Sequence, residues 1–151
     1  MLFYSKTLNA SSKESTVGDF IELTKPSVTL LVVLSCAVGM VMAPLKVHHL
    51  VAWIALIATA LASSGSAAFN MWYDRDIDAL MPRTQNRPIV RAVIEPDDAL
   101  VFALALSLIA LTLMAGCVSY VSALLLLLSI VFYCLIYTVW LKRLTAQNIV
   151  I

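Results

Sequence analysis

The chain has 151 residues, of which 62% are hydrophobic and 13% charged, with a mean hydropathy of +0.94 and a net charge of +1. So apolar a composition excludes an ordinary soluble domain, which needs a polar surface. So small a net charge offers no general attraction to nucleic acid.

The length suits one domain. Residues 1–26 are mixed and polar, carrying Lys6, Lys13, Glu14, Asp19, Glu22 and Lys25 before the first apolar run. A secretory signal would begin with a shorter basic stretch and end at a small-residue cleavage site. The first apolar run is therefore expected to be a retained span, with 1–26 as a cytoplasmic N-terminal segment. Four uncharged stretches follow: Ser27–Ala43 (17 residues), Val51–Phe69 (19), Ala99–Gly116 (18) and Cys117–Leu141 (25). Each is long enough to cross roughly 30 Å of hydrocarbon as a helix. The expected fold is thus an all-α, polytopic transmembrane helical bundle, with the lipid bilayer as its surroundings. Cys36, Cys117 and Cys134 all fall inside these spans and read as small apolar fillers, not as disulfide partners or metal ligands.

Four spans leave both termini on one side. That side then carries Lys6, Lys13, Lys25, Arg75, Arg83, Arg87, Arg91, Lys142 and Arg143, and the other carries Lys46 alone. The positive-inside rule puts the basic side in the cytoplasm, or the matrix of a mitochondrion. All nine acidic residues fall there as well.

The second span ends in a small-residue run, Ser63-Ser64-Gly65-Ser66-Ala67-Ala68, and then in Asn70, Asp74 and Asp78. A spacing of four keeps these three on one helical face, fanned over about 80°. Asp76 lies half a turn away. If the helix continues past Phe69, three oxygen-bearing side chains line one side of a pocket at the membrane edge. Two carboxylates and a carboxamide are hard ligands suited to Mg²⁺, which completes its shell with water and phosphate oxygens. The cluster therefore reads as half of a metal–diphosphate site, or else as an acidic juxtamembrane loop. A calcium loop is a poor match, because Ala79 and Gln85 stand where glycine and a bidentate glutamate belong.

Arg83, Arg87 and Arg91 follow at spacings of four, with Pro82 and Pro88 interrupting helix. Guanidinium groups pair with phosphate oxygens, but positive-inside anchoring asks for the same charge. Tyr137, Lys142 and Arg143 close the fourth span and read equally as an interfacial belt and anchor.

The stretch from Asn70 to Val90, with its Asn-x-x-x-Asp-x-x-x-Asp core, resembles the first aspartate-rich motif of the UbiA-type prenyltransferase superfamily. Its fuller wording, Trp72-Tyr73-Asp74-Arg75-Asp76-Ile77-Asp78 with Arg83-Thr84 and Arg87-Pro88, looks like the protohaem IX farnesyltransferase (haem O synthase) branch. Leu23-Thr24-Lys25-Pro26 and Tyr137–Ile151 resemble further stretches of that branch. The resemblance covers Lys25 to Ile151. It implies that Asn70, Asp74 and Asp78 bind Mg²⁺ and prenyl diphosphate as the catalytic centre, with Arg83, Arg87 and Lys142 on the diphosphate. It implies transfer of farnesyl from farnesyl diphosphate to a vinyl group of haem b, with water completing haem O. Lys25, Arg75, Arg91 and Arg143 are the remaining basic groups on that side, and so candidates for the haem propionates. A bacterial or mitochondrial inner membrane, and terminal-oxidase assembly partners, follow from the same likeness.

Two departures stand beside it. Many superfamily members show Tyr-x-x-x-Lys where four residues here separate Tyr137 from Lys142. The family has about nine spans and a second acidic motif, so residues 27–151 are expected to be a partial, N-terminal membrane domain. An aromatic acceptor, as in quinone synthesis, is the alternative within the superfamily. A non-enzymatic transporter or assembly subunit is the alternative outside it. His48 and His49 are adjacent, so their side chains diverge by about 100° on a helix, and they lie across the membrane from the acids. They read as loop residues.

Overall fold

The computed structural model describes residues 15–44 and 47–141. Among them every regular element is helical: α1 (Val17–Leu23), α2 (Pro26–Met42), α3 (His49–Tyr73), α4 (Arg75–Asp78), α5 (Pro96–Cys117) and α6 (Tyr120–Val131), the last running on as a π-helix over Phe132–Leu141. Three helices are long and apolar enough to cross a membrane: α3, α5, and α6 with its π-helical continuation. The α1–α2 pair makes a fourth if its 55° bend is counted as one broken span. The bundle expected from the sequence is the one observed.

The boundaries add detail. Residues 15–26 are not plain approach to the first span, since α1 lies there. The Thr16 backbone N–H donates to Asp19 Oδ2 at 2.9 Å, the reciprocal half of a capping box. Between α1 and α2, Lys25 adopts φ 46°, ψ 69°, a left-handed conformation that a side-chain-bearing residue seldom holds. Pro26 then opens α2 at the position where its missing N–H costs nothing. His48 caps α3, its Nδ1 accepting from the Leu50 N–H at 3.3 Å. The fourth span, expected as one run from Cys117, breaks at Val118 and Ser119 and restarts with Ser119 as N-cap, its Oγ accepting from the Ser122 N–H at 3.1 Å.

Helix α3 is the axis of the bundle. Its buried face is made of small residues, Ala55, Ala58, Ala62, Gly65 and Ala68, and α5 answers with Ala99, Ala103 and Ala110. In lipid no hydrophobic force drives helices together, so close backbone approach and van der Waals packing must do so. Gly65 marks the closest point. A Cβ added there would meet Ser107 Oγ at 2.5 Å and the Ala103 carbonyl oxygen at 2.8 Å. The outward faces of α2, α5 and α6 carry exposed Leu30, Leu34, Val38, Leu104, Leu108, Leu124 and Leu128, as a hydrocarbon environment requires.

At the acidic end, α1 and the 79–95 loop fold over the bundle. Leu23, Met71, Ile89, Ile94 and Ala99 form a buried cluster there, with Phe20, Trp72 and Phe102 packed against it. The loop turns at Pro88, whose carbonyl accepts from the N–H groups of Val93 and Ile94. This lid of ordered chain covers one side of the polar residues at the end of α3.

Candidate functional site

Helix α3 runs past Phe69, as the face argument requires, and ends at Tyr73. The helical hydrogen bonding nonetheless carries on through the junction. The Asp74 N–H donates to the Asn70 carbonyl at 3.0 Å, and the Asp78 N–H to the Asp74 carbonyl at 2.8 Å. Asn70, Asp74 and Asp78 therefore stack on successive turns of one face despite the break at Asp74. All three are buried, at 3%, 0% and 3% exposure, while Asp76 is exposed. The fan of three with Asp76 turned away is what the spacing of four dictated.

Buried carboxylates are costly unless paired, and Asp78 has a charged partner. Arg87 Nη1 donates to Asp78 Oδ2. Asn70 Nδ2 donates to Asp74 Oδ2 at 2.8 Å and to Thr138 Oγ1 at 3.3 Å. Lys25 Nζ donates to Asn70 Oδ1 at 2.8 Å. Thr84 Oγ1 donates to the Asp78 carbonyl at 2.9 Å, fastening the 79–95 loop to the end of α4. The site thus gathers side chains from α2's N-cap, α3, α4, the 79–95 loop and the π-helix.

The other basic residues divide. Arg83 is exposed. Arg87 is the arginine that reaches them. Arg91 faces α1 instead, donating to Asp19 at 3.2 Å and lying 3.6 Å from Glu22. Arg75 is exposed, 5.3 Å from the centre of the Trp72 ring, and donates to the Trp72 carbonyl at 3.0 Å. Lys142 and Arg143 lie outside the described residues. Tyr137 stacks on Tyr133, with ring centroids 5.5 Å apart.

Two further side chains meet Asn70. Lys25, a propionate candidate by sequence, follows a left-handed backbone and donates to the Asn70 oxygen. Thr138 carries no sequence motif and accepts from the Asn70 nitrogen. Hydrophobic periodicity could not have found it, because the π-helix shifts the register of its segment. The unmatched Thr between Tyr137 and Val139 in an apolar span was the only available signal.

An apolar cavity of about 270 Å³ opens beside the site. Lys25, Ser66, Ala67 and Tyr133 line its end near Asn70, and Val28, Val32, Thr59, Leu126 and Ile130 its deeper wall. From Ala67 to Thr59 is eight helical residues, or roughly 12 Å. A lysine at one end of an apolar groove suits a ligand with an anionic head and a hydrocarbon tail.

The donor set can be tested against Mg²⁺. Among the described residues, no three His, Cys, Asp or Glu side chains converge into an all-protein cage. Two buried carboxylates and a carboxamide on one face do fit the ion's other habit, in which one or two carboxylates share it with water and phosphate oxygens.

The sequence matches the UbiA prenyltransferase family over residues 32–151. It is 53% identical over 138 residues to the protoheme IX farnesyltransferase of Rickettsia canadensis (strain McKiel), covering 91% of this chain and 45% of that protein. It is 54% identical over 141 residues to that of Rickettsia prowazekii (strain Madrid E), covering 93% and 46%, and 51% identical over 150 residues to that of Rickettsia bellii (strain OSU 85-389), covering 97% and 50%. The chain spans about half the length of the curated relatives it matches. No solved structure matches it.

Proposed function

We propose, from the premise that this chain belongs to the UbiA prenyltransferase family, that its protein transfers a farnesyl group from farnesyl diphosphate to a vinyl group of haem b, giving haem O. The observation that carries the prenyl half of this reading is the junction of two features. A buried Asn70–Asp74–Asp78 face meets, through Lys25, an apolar cavity of about 270 Å³. Head and tail of a prenyl diphosphate need those two environments side by side.

The difficulty in the reaction is departure of diphosphate from an allylic carbon. Mg²⁺, held by Asp74 and Asp78 with Asn70 assisting, would neutralise charge on that leaving group. Lys25 lines the cavity and Arg87 pairs with Asp78 on the acidic face, so both would supply fixed positive charge beside the leaving group. Arg83 is exposed and has to move to contribute. Lys142 is the further diphosphate candidate. The apolar wall of Val28, Val32, Leu126 and Ile130 would take the hydrocarbon tail and keep water from it. As the C–O bond breaks its electron pair leaves with diphosphate, the vinyl π pair bonds to the allylic carbon, and water adds to the resulting cation beside the porphyrin and loses a proton to give the hydroxyl.

Support for haem as acceptor comes from the name carried by the relatives and from the wording around Trp72–Asp78 and Arg83–Pro88. Propionates need cations at the membrane surface. Arg75 is exposed there, whereas Arg91 is engaged with Asp19 and Glu22. Arg143 stays a candidate on sequence alone. The reading puts the active face on the basic, cytoplasmic side of an inner membrane. The test uses membranes containing the protein as expressed from its native gene, supplied with Mg²⁺ and farnesyl diphosphate. Haem b should be converted to a more hydrophobic haem, separable by chromatography, with 4-hydroxybenzoate untouched. Prenylation of 4-hydroxybenzoate with haem unchanged would replace haem by an aromatic acceptor.

A further inference from the structure

Asn70 is held by three groups of different kinds. Lys25 can only donate, so it fixes which side of the carboxamide is oxygen. The Asp74 carboxylate accepts from Nδ2 at 2.8 Å. Thr138 is the third, fully buried at 0% exposure, with Oγ1 3.3 Å from Nδ2. Thr138 has one hydroxyl proton, and it is donated to the Tyr133 carbonyl at 2.9 Å. That bond spans five residues, the spacing of the π-helix. With its proton spent, Oγ1 offers only lone pairs to Asn70, so it accepts and cannot turn round to donate.

The three holders differ in what ligand binding does to them. Lys25 occupies the Asn70 oxygen that the proposed function gives to a cation. Asp74 is itself a proposed ligand. Both are charged and both must change partners when the site fills. Thr138 is neutral, faces Nδ2 and has no such second duty. We propose that Thr138 is a positioning residue, the fixed anchor that keeps the Asn70 amide nitrogen turned inward and its oxygen presented to the ligand when Lys25 and Asp74 turn to the substrate. This rests on the reading of Asn70 as part of the metal–diphosphate site. It also gives the π-helix a purpose: the i to i+5 bond locks the hydroxyl so that it can only accept.

The first test needs no turnover. In protein labelled with ¹⁵N-asparagine, the Asn70 side-chain NH₂ signal is assigned by its loss in N70D. Its protons should exchange slowly with solvent. T138V, which keeps the side chain's shape but loses the oxygen, should speed that exchange about fivefold, the worth of one net hydrogen bond. T138S should restore it. Unchanged protection in T138V, or no protection in the unaltered protein, overturns the proposal. The second test measures the Mg²⁺ concentration giving half-maximal prenyl transfer. T138V should raise it, yet have no further effect in N70D, where there is no amide nitrogen to orient. Equal effects in both backgrounds would make Thr138 a packing residue and overturn the anchor role. A protein in which Asn70 is anchored as described but which transfers no prenyl group would refute the proposed function alone. Should T138V not fold, the contrast between T138S and T138A in both measurements decides the same question.

Discussion

The Lys25 ammonium lies 2.8 Å from the Asn70 carboxamide oxygen, joining the start of α2 to the last turn of α3 at the mouth of the apolar cavity. A lysine at a membrane edge ordinarily extends its charge toward water. Here φ 46° at Lys25 and the 55° bend between α1 and α2 aim it inward instead. A positive φ at a residue with a side chain costs on the order of 1 kcal/mol, so the inward aim is maintained against strain. If the protein carries out the proposed transfer, K25M should raise the KM for farnesyl diphosphate about tenfold, the loss of one charge-assisted contact, with a smaller fall in kcat. Steady-state kinetics at saturating haem separates the two.

Arg87 and Asp78 form the second link, between the 79–95 loop and the end of α4. Removing the guanidinium leaves a buried carboxylate uncompensated. R87M should destabilise the protein by about 2 kcal/mol in detergent unfolding, discounted from the cost of breaking a fully buried pair because Arg87 is partly exposed. Adding D78N should recover most of that stability, while prenyl transfer should be lost with the Asp78 carboxylate. Recovery of both together would mean that the pair serves packing only.

Gly65 sets the distance between α3 and α5. G65A would push a methyl group to within 2.5 Å of Ser107 Oγ and 2.8 Å of the Ala103 carbonyl. The Ser107 side chain can give way, but the Ala103 backbone cannot without moving the helix. A loss of about 1–3 kcal/mol follows, the usual cost of overpacking. S107A in the G65A background should recover only part of it.

The sidedness read from the basic residues has a direct check. Val47 is exposed beside the start of α3, and Asn86 is exposed on the 79–95 loop. In a background lacking Cys36, Cys117 and Cys134, an impermeant thiol reagent added from outside should label V47C and miss N86C. External labelling of N86C would reverse the orientation.

What could be read from the sequence was whatever follows from regular periodicity. Long uncharged runs gave α3 and α5 nearly to their ends, and a spacing of four put Asn70, Asp74 and Asp78 on one buried face with Asp76 outside it. What could not be read depends on irregular backbone. Lys25 reaches Asn70 because of a left-handed residue that no local pattern announces. Thr138 reaches it because α6 turns into a π-helix at Phe132. Arg83, Arg87 and Arg91 are evenly spaced in sequence, but the Pro82–Pro88 segment is not a helix, so they go to solvent, to Asp78 and to α1 respectively. Equal spacing carries meaning only where the helix persists.

The buried face of Asn70, Asp74 and Asp78 is proposed to carry the chemistry of prenyl transfer. This role is tested most directly by comparing three single substitutions, D74N, D76N and D78N, for turnover of farnesyl diphosphate in membranes with matched protein levels. All three remove one negative charge from the same short segment, so general electrostatics affects them alike. The geometry does not: Asp74 and Asp78 are buried at 0% and 3% exposure and Asp76 is exposed. D74N and D78N should lower turnover by more than about a hundredfold, the scale on which removal of a preorganised charge-stabilising group acts, and D76N should stay close to the unaltered protein. Equal losses at all three positions would contradict the account.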